Sequence, residues 1–138
     1  MKTICLNYHN LGYGRQIGIN KVNPIIFNNH IKIIDDYIKN NPGAKVEITF
    51  DDAYDDIYEF SFNILNASHI SKSVFVISDY IGKKNSWDFT FLLNEYKHLD
   101  EEKIKILSEA DWEIGSHGKS HKSLELMSSK KARGELLE

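Results

Sequence analysis

Cysteine is all but missing: Cys5 is the one thiol among 138 residues, so no internal disulfide can form. It lies inside an apolar run and reads as a small core residue rather than a catalytic thiol. Long apolar stretches are missing as well. None approaches the roughly 18 residues of a membrane span, and Met1-Lys2-Thr3-Ile4 leads straight into a strand pattern instead of a signal peptide's hydrophobic region. On that reading the chain is soluble, not exported and cytoplasmic. It also lacks a basic excess. The formal charge is -3 and the lysines are scattered among acids, which leaves nucleic-acid binding without electrostatic support. No internal repeat or low-complexity tract appears. With 138 residues and a hydrophobic fraction of 41%, there is room for one domain with one core, spanning 1–138.

Two short clusters stand out against this plain background. Val46, Ile48 and Phe50 alternate with Glu47 and Thr49 in the period-two pattern of a strand, and Asp51-Asp52 appears where the pattern stops. Trp112, Ile114 and Gly115 form a second strand-like run, followed by His117-Gly118-Lys119-Ser120-His121. If the chain turns helical there, both imidazoles share one face. Each cluster alone has a bland explanation. Asp-Asp before a helix serves as an N-cap and first-turn acid, and a His-x-x-x-His pair is common on surfaces. Together, each after a strand of one short chain, they read as halves of one metal site. Two imidazoles and a carboxylate are a usual ligand set for Zn²⁺ or a similar divalent ion, and they leave positions open for water and substrate. Neighbouring residues on an extended backbone face opposite ways, so one of Asp51 and Asp52 is expected to bind metal and the other to act as a base.

The motifs carry a resemblance. Thr49-Phe50-Asp51-Asp52-Ala53-Tyr54 resembles the first motif of the polysaccharide deacetylases, the NodB-homology carbohydrate esterases, and Ser116-His117-Gly118-Lys119-Ser120-His121 resembles their second. The similarity extends from Leu6-Asn7-Tyr8-His9 through Ser73 to Ile77 and on to the C-terminus. By position, the resemblance implies that Asp51 is the general base and that Asp52, His117 and His121 are the metal ligands. It implies a carbohydrate substrate, loss of an N-acetyl (or O-acetyl) group from an amino sugar, and a divalent ion, Zn²⁺ or in its place Co²⁺. Ala53 stands where the family usually has glycine, which alters a tight turn more than the chemistry. The family takes its general acid from a histidine in a late motif and orients the base with later arginine and tyrosine motifs; none of these is found in the sequence. His9, at a strand end, is the candidate substitute, although a structural role for it is favoured.

Read in order, the chain alternates strand and helix. Thr3 to Tyr8 is nearly all apolar, as expected for a strand covered on both faces of a parallel sheet. Asn10 to Val22 reads as loop. Asn23-Pro24 reads as an N-cap with proline at the first helical position, and Phe27, Ile31, Ile34 and Ile38 form a helical stripe stopped by Asn41-Pro42-Gly43. Tyr54, Ile57, Ser61, Ile64 and Leu65 mark the next helix, and Val74 to Ile77 a third strand. Asp79 to Asp88 reads as a loop in which Trp87 could stack on a sugar or simply pack over the rim. Phe89, Leu92, Leu93 and Tyr96 mark a short helix, Asp100 caps another with Leu99 and Ile104 as a hydrophobic staple, and Ser128 to Glu138 a last one without a stop signal.

The expected fold is therefore α/β: an incomplete, distorted (β/α) barrel with about four parallel strands, against the roughly eight of a closed barrel. The chain is expected to be the N-terminal part of a longer protein. Its open strand edge and apolar stripes, including Leu126, Leu136 and Leu137, are expected to favour self-association. Rival functions fit less well. In a non-haem iron oxygenase the first histidine and the acid lie one residue apart, and the zinc-protease motif needs a glutamate after the first histidine, where Gly118 stands. From another class, a non-catalytic carbohydrate-binding or assembly module descended from a deacetylase remains the alternative.

Overall fold

A computed structural model describes residues 3–14, 21–86 and 96–137. Among them, strands β1 (Thr3–Tyr8), β4 (Lys45–Phe50), β5 (Ser71–Val76) and β6 (Glu113–Ser116) pair in the order β1-β4-β5-β6, every neighbour parallel. Two further two-residue strands, β2 (Asn10–Leu11) and β3 (Lys21–Val22), pair with each other inside the stretch read as loop. Helices α1 (Pro24–Asn40), α2 (Asp55–Asn66) and α3 (Glu101–Glu109) connect the main strands, and α4 (Ser129–Leu137) follows β6. The result is an open arc of a (β/α) barrel with four strands, as expected. Trp87, Phe89, Leu92 and Leu93 lie outside the described residues.

Local signals account for most boundaries. Asn23 caps α1 by accepting from Ile25 N, and Pro24 opens the helix where its missing N–H costs nothing. Asp100 caps α3 through a bond from Lys103 N. Phe27, Ile31 and Ile34 of α1, Ile57 and Leu65 of α2, and Leu107 of α3 pack onto Val46, Ile48 and Phe50 in one apolar core, which also holds Leu99 and, partly buried, Ile104. Phe50 sits at its centre, stacked on Trp112 and flanked by Phe27 and Tyr8.

Two expectations need correction here. β1 is not covered on both faces: it is an edge strand, and Thr3, Cys5 and Asn7 are exposed. Cys5 is therefore exposed rather than a core residue, its Sγ 3.7 Å from Thr49 Oγ1. Apolar composition brought both faces of this strand into the expectation, but only Ile4, Leu6 and Tyr8 turn toward the core. The other face of the sheet carries a band of polar contacts, with Thr49 donating to Asn7 and Ser73 to Glu47.

Candidate active site at the C-terminal ends of the strands

The chain leaves β4 through a tight turn in which Asp52 and Ala53 both take the left-handed conformation, with φ of 67° and 52°. This geometry disfavours side-chain-bearing residues, so its surroundings must hold it in place. They do so from three directions. Asp51 N donates to Tyr8 O, Leu99 N donates to Ala53 O, and Asp55 N donates to Lys97 O. Beneath the turn, buried His98 places Nδ1 2.7 Å from Asp52 O and stacks on Tyr54. The N-cap of α2 is Tyr54, so the acidic pair is not spent on capping the helix. Asp51 and Asp52 face different ways, but the left-handed turn at Asp52 separates them rather than the alternation of an extended strand.

Asp52 turns inward, its side chain 7% exposed, and Oδ1 lies 3.4 Å from His117 Nε2 and 3.1 Å from His121 Nε2. The stretch from His117 to His121 does not form the helical turn on which a spacing of four would place both rings on one face. It is a loop with left-handed residues at Gly118 (φ 80°) and His121 (φ 58°), and that path brings the two rings to 5.3 Å between centroids. Its start is set by β6, where His117 N donates to Val76 O.

The three side chains fit a divalent ion. Ligands about 2.1 Å from a tetrahedral ion stand about 3.4 Å apart, close to the two distances to Asp52, and all three donor atoms lie within 4.8 Å of one another. Asp52 Oδ1 is buried and, among the described residues, no hydrogen bond of good geometry reaches it, as suits an oxygen whose partner is a cation. Burial pushes the Asp52 carboxyl up, but the polar contact and charge of His121, with the charges of His117 and His9, outweigh that and leave it below its usual value.

Asp51 points toward β1. Asn7 Nδ2 donates to Asp51 Oδ2 at 2.8 Å, and Asn7 Oδ1 accepts from Thr49 Oγ1 at 2.9 Å, so the threonine fixes which end of the amide faces the acid. His9 Nε2 lies 3.8 Å from the same carboxylate oxygen. His98 has no sequence signal, and Asn7 has only its place in the Leu6-Asn7-Tyr8-His9 stretch where the resemblance begins. Asn7 pairs with Thr49 in the parallel register and reaches Asp51 across the strands, a contact separated by 44 positions.

A parallel α/β arc with acids and imidazoles gathered where its strands end defines a barrel-type protein of hydrolase-like architecture. The family model for polysaccharide deacetylase matches residues 38–138, and the chain belongs to that family. No curated protein matches it closely enough to add a nearer relative. Among solved structures, it is similar to the deacetylase PplD of Streptococcus pyogenes in complex with acetate, at 20% identity and a TM-score of 0.74 over 98% of this chain and 64% of that one. It is similar also to a polysaccharide deacetylase from Bacillus cereus, at 18% identity and a TM-score of 0.69 over 99% of this chain and 46% of that one. A de-N-acetylase from Aggregatibacter actinomycetemcomitans gives 16% identity and a TM-score of 0.64 over 84% and 54%. At these identities the structures bear on the fold, and the chain spans less than two thirds of each.

Proposed function

We propose that the chain acts as a metal-dependent carbohydrate deacetylase, removing an N-acetyl (or O-acetyl) group from an amino-sugar-containing carbohydrate. The convergence of Asp52, His117 and His121 on one point, with Asp51 beside them, carries this reading. Membership of the polysaccharide deacetylase family supports it. Zn²⁺ suits the ligand set, and Co²⁺ is the next choice. Such an ion would supply Lewis acidity, lowering the pKa of a water and polarising the acetyl carbonyl.

The chain's own residues do the rest. Asp51 is the general base: Asn7 occupies Oδ2, which leaves Oδ1 to take the water's proton. Hydrogen bonding by Asn7 keeps the carboxylate from rotating away, so the proton acceptor is oriented before substrate arrives. The departing amine needs a proton in return. His9, its side chain 32% exposed and beside Asp51, is the described residue best placed to give one.

Acetate release from an N-acetylglucosamine oligomer tests the reading when paired with metal content. Asp51→Asn should abolish acetate release and keep its zinc, whereas Asp52→Asn and His117→Ala should lose the zinc. The reverse pattern would exchange the roles of the two acids. A wild-type chain that binds the oligomer and releases no acetate would instead mark the glycan-binding module descended from a deacetylase.

A further inference from the structure

The loop carrying both histidines is gripped from two sides. On one, its carbonyls are used: Ser78 N donates to Gly118 O at 3.2 Å and Asp79 N donates to Lys119 O at 2.9 Å. On the other, a single side chain takes its donors. Ser120 N donates to Glu135 Oε2 at 2.8 Å, and Ser120 Oγ donates to Glu135 Oε1 at 2.5 Å. Both carboxylate oxygens are therefore committed to the residue just before His121. Because His121 holds a φ of 58°, the loop needs such outside support to keep its path.

Glu135 comes from α4, a helix with no buried residue and with Leu136 and Leu137 exposed at its end. Apolar burial does not account for the helix lying against the loop, so the carboxylate is a principal tie between them. The bonds from Ser120 hold the Glu135 carboxyl below its usual value, which keeps these bonds charge-assisted.

We infer that Glu135 is a positioning residue for the metal site: by clamping Ser120 it sets His117 and His121 in the ligating arrangement around Asp52. This rests on the proposed metal role of those three residues. Metal affinity falls with the fraction of molecules whose loop is already in the competent conformation, and a clamp raises that fraction. Groups behind the ligands commonly change metal affinity when removed.

The test titrates Zn²⁺ alone into the whole metal-free chain and, in parallel, follows amide exchange at 117–121. Glu135→Ala should weaken zinc binding about tenfold, at the lower end of the effects known for groups behind metal ligands. It should also speed exchange at Ser120 while leaving β4 and β5 protected, which verifies that the variant is folded. Glu135→Gln retains one accepting oxygen and should fall between wild type and the alanine variant. Zinc affinity in Glu135→Ala equal to wild type, or unchanged exchange at Ser120, would overturn the assignment. His117→Ala serves as the separate control: if it binds zinc like wild type, the metal reading itself fails, while the exchange data still report whether the clamp holds the loop.

Discussion

The two halves of the site are built by different means. The acid half grows directly out of the core: Phe50, 0% exposed, precedes Asp51, and buried Tyr54 and His98 close the turn from below. The histidine half lies on partly exposed chain, with His117 and His121 side chains 35% and 31% exposed and a helix without buried residues behind them. The acid half adds packing to its hydrogen bonds, whereas the histidine half has hydrogen bonds with little packing behind them. A packed turn holds its geometry as long as the domain is folded, whereas a bonded loop can open locally at lower cost. The half held by bonds is therefore where ligand geometry can be lost without unfolding the chain.

Substituting one apolar residue in each half gives the widest separation. Phe50→Ala should destabilise the fold by about 3–5 kcal/mol, as expected when a buried aromatic is removed, measured by urea unfolding. Leu136→Ala, at a side chain 64% exposed, should change stability by no more than about 0.5 kcal/mol. Equal losses would show that α4 is packed as firmly as the sheet and would erase the contrast.

A smaller effect probes what the acid half is built on. Asp56, in the first turn of α2, accepts from Leu11 N, and burial pushes its carboxyl from 3.8 up to about 7. The folded state then binds the proton more tightly than the unfolded state, so this group makes stability fall as pH rises from about 4 to about 7. Asp56→Asn keeps an acceptor for Leu11 and has no charge to bury. It should raise the urea midpoint at pH 8 and change it little at pH 4. A variant whose pH dependence parallels wild type would show that this carboxyl is solvated. Another small effect is at the turn itself. Ala53→Gly relieves a left-handed alanine and should add up to about 1 kcal/mol, reduced by glycine's greater freedom when unfolded. A loss of stability there would mean that the methyl group's burial outweighs the strain.

Sequence and structure agree where the signals are local. Alternation from Val46 to Phe50, the Asn23-Pro24 cap and the Asp100 cap all read directly, because each depends on a few neighbouring residues. The site was legible as two motifs, and the structure brings Asp52, His117 and His121 together. The backbone that does so was not: a spacing of four predicts one face of a helix, but Gly118 and His121 turn left-handed and reach the same convergence by a loop. Nor can composition tell that β1 forms an edge, and its apolar run therefore points to a core Cys5 where the structure has an exposed one. The supports supplied by Asn7 and Glu135 are contacts between elements, separated by 44 and 15 positions, and neither leaves a periodic trace.

That edge gives Cys5 a practical standing. It is the single thiol of the chain, exposed, two residues before the asparagine that holds Asp51 and on the same face of β1. A thiol-reactive fluorophore would attach at one position per molecule, without displacing any core side chain. Its emission would report on events at the strand ends, making an otherwise silent surface cysteine a built-in reporter beside the acid that is proposed to take the proton.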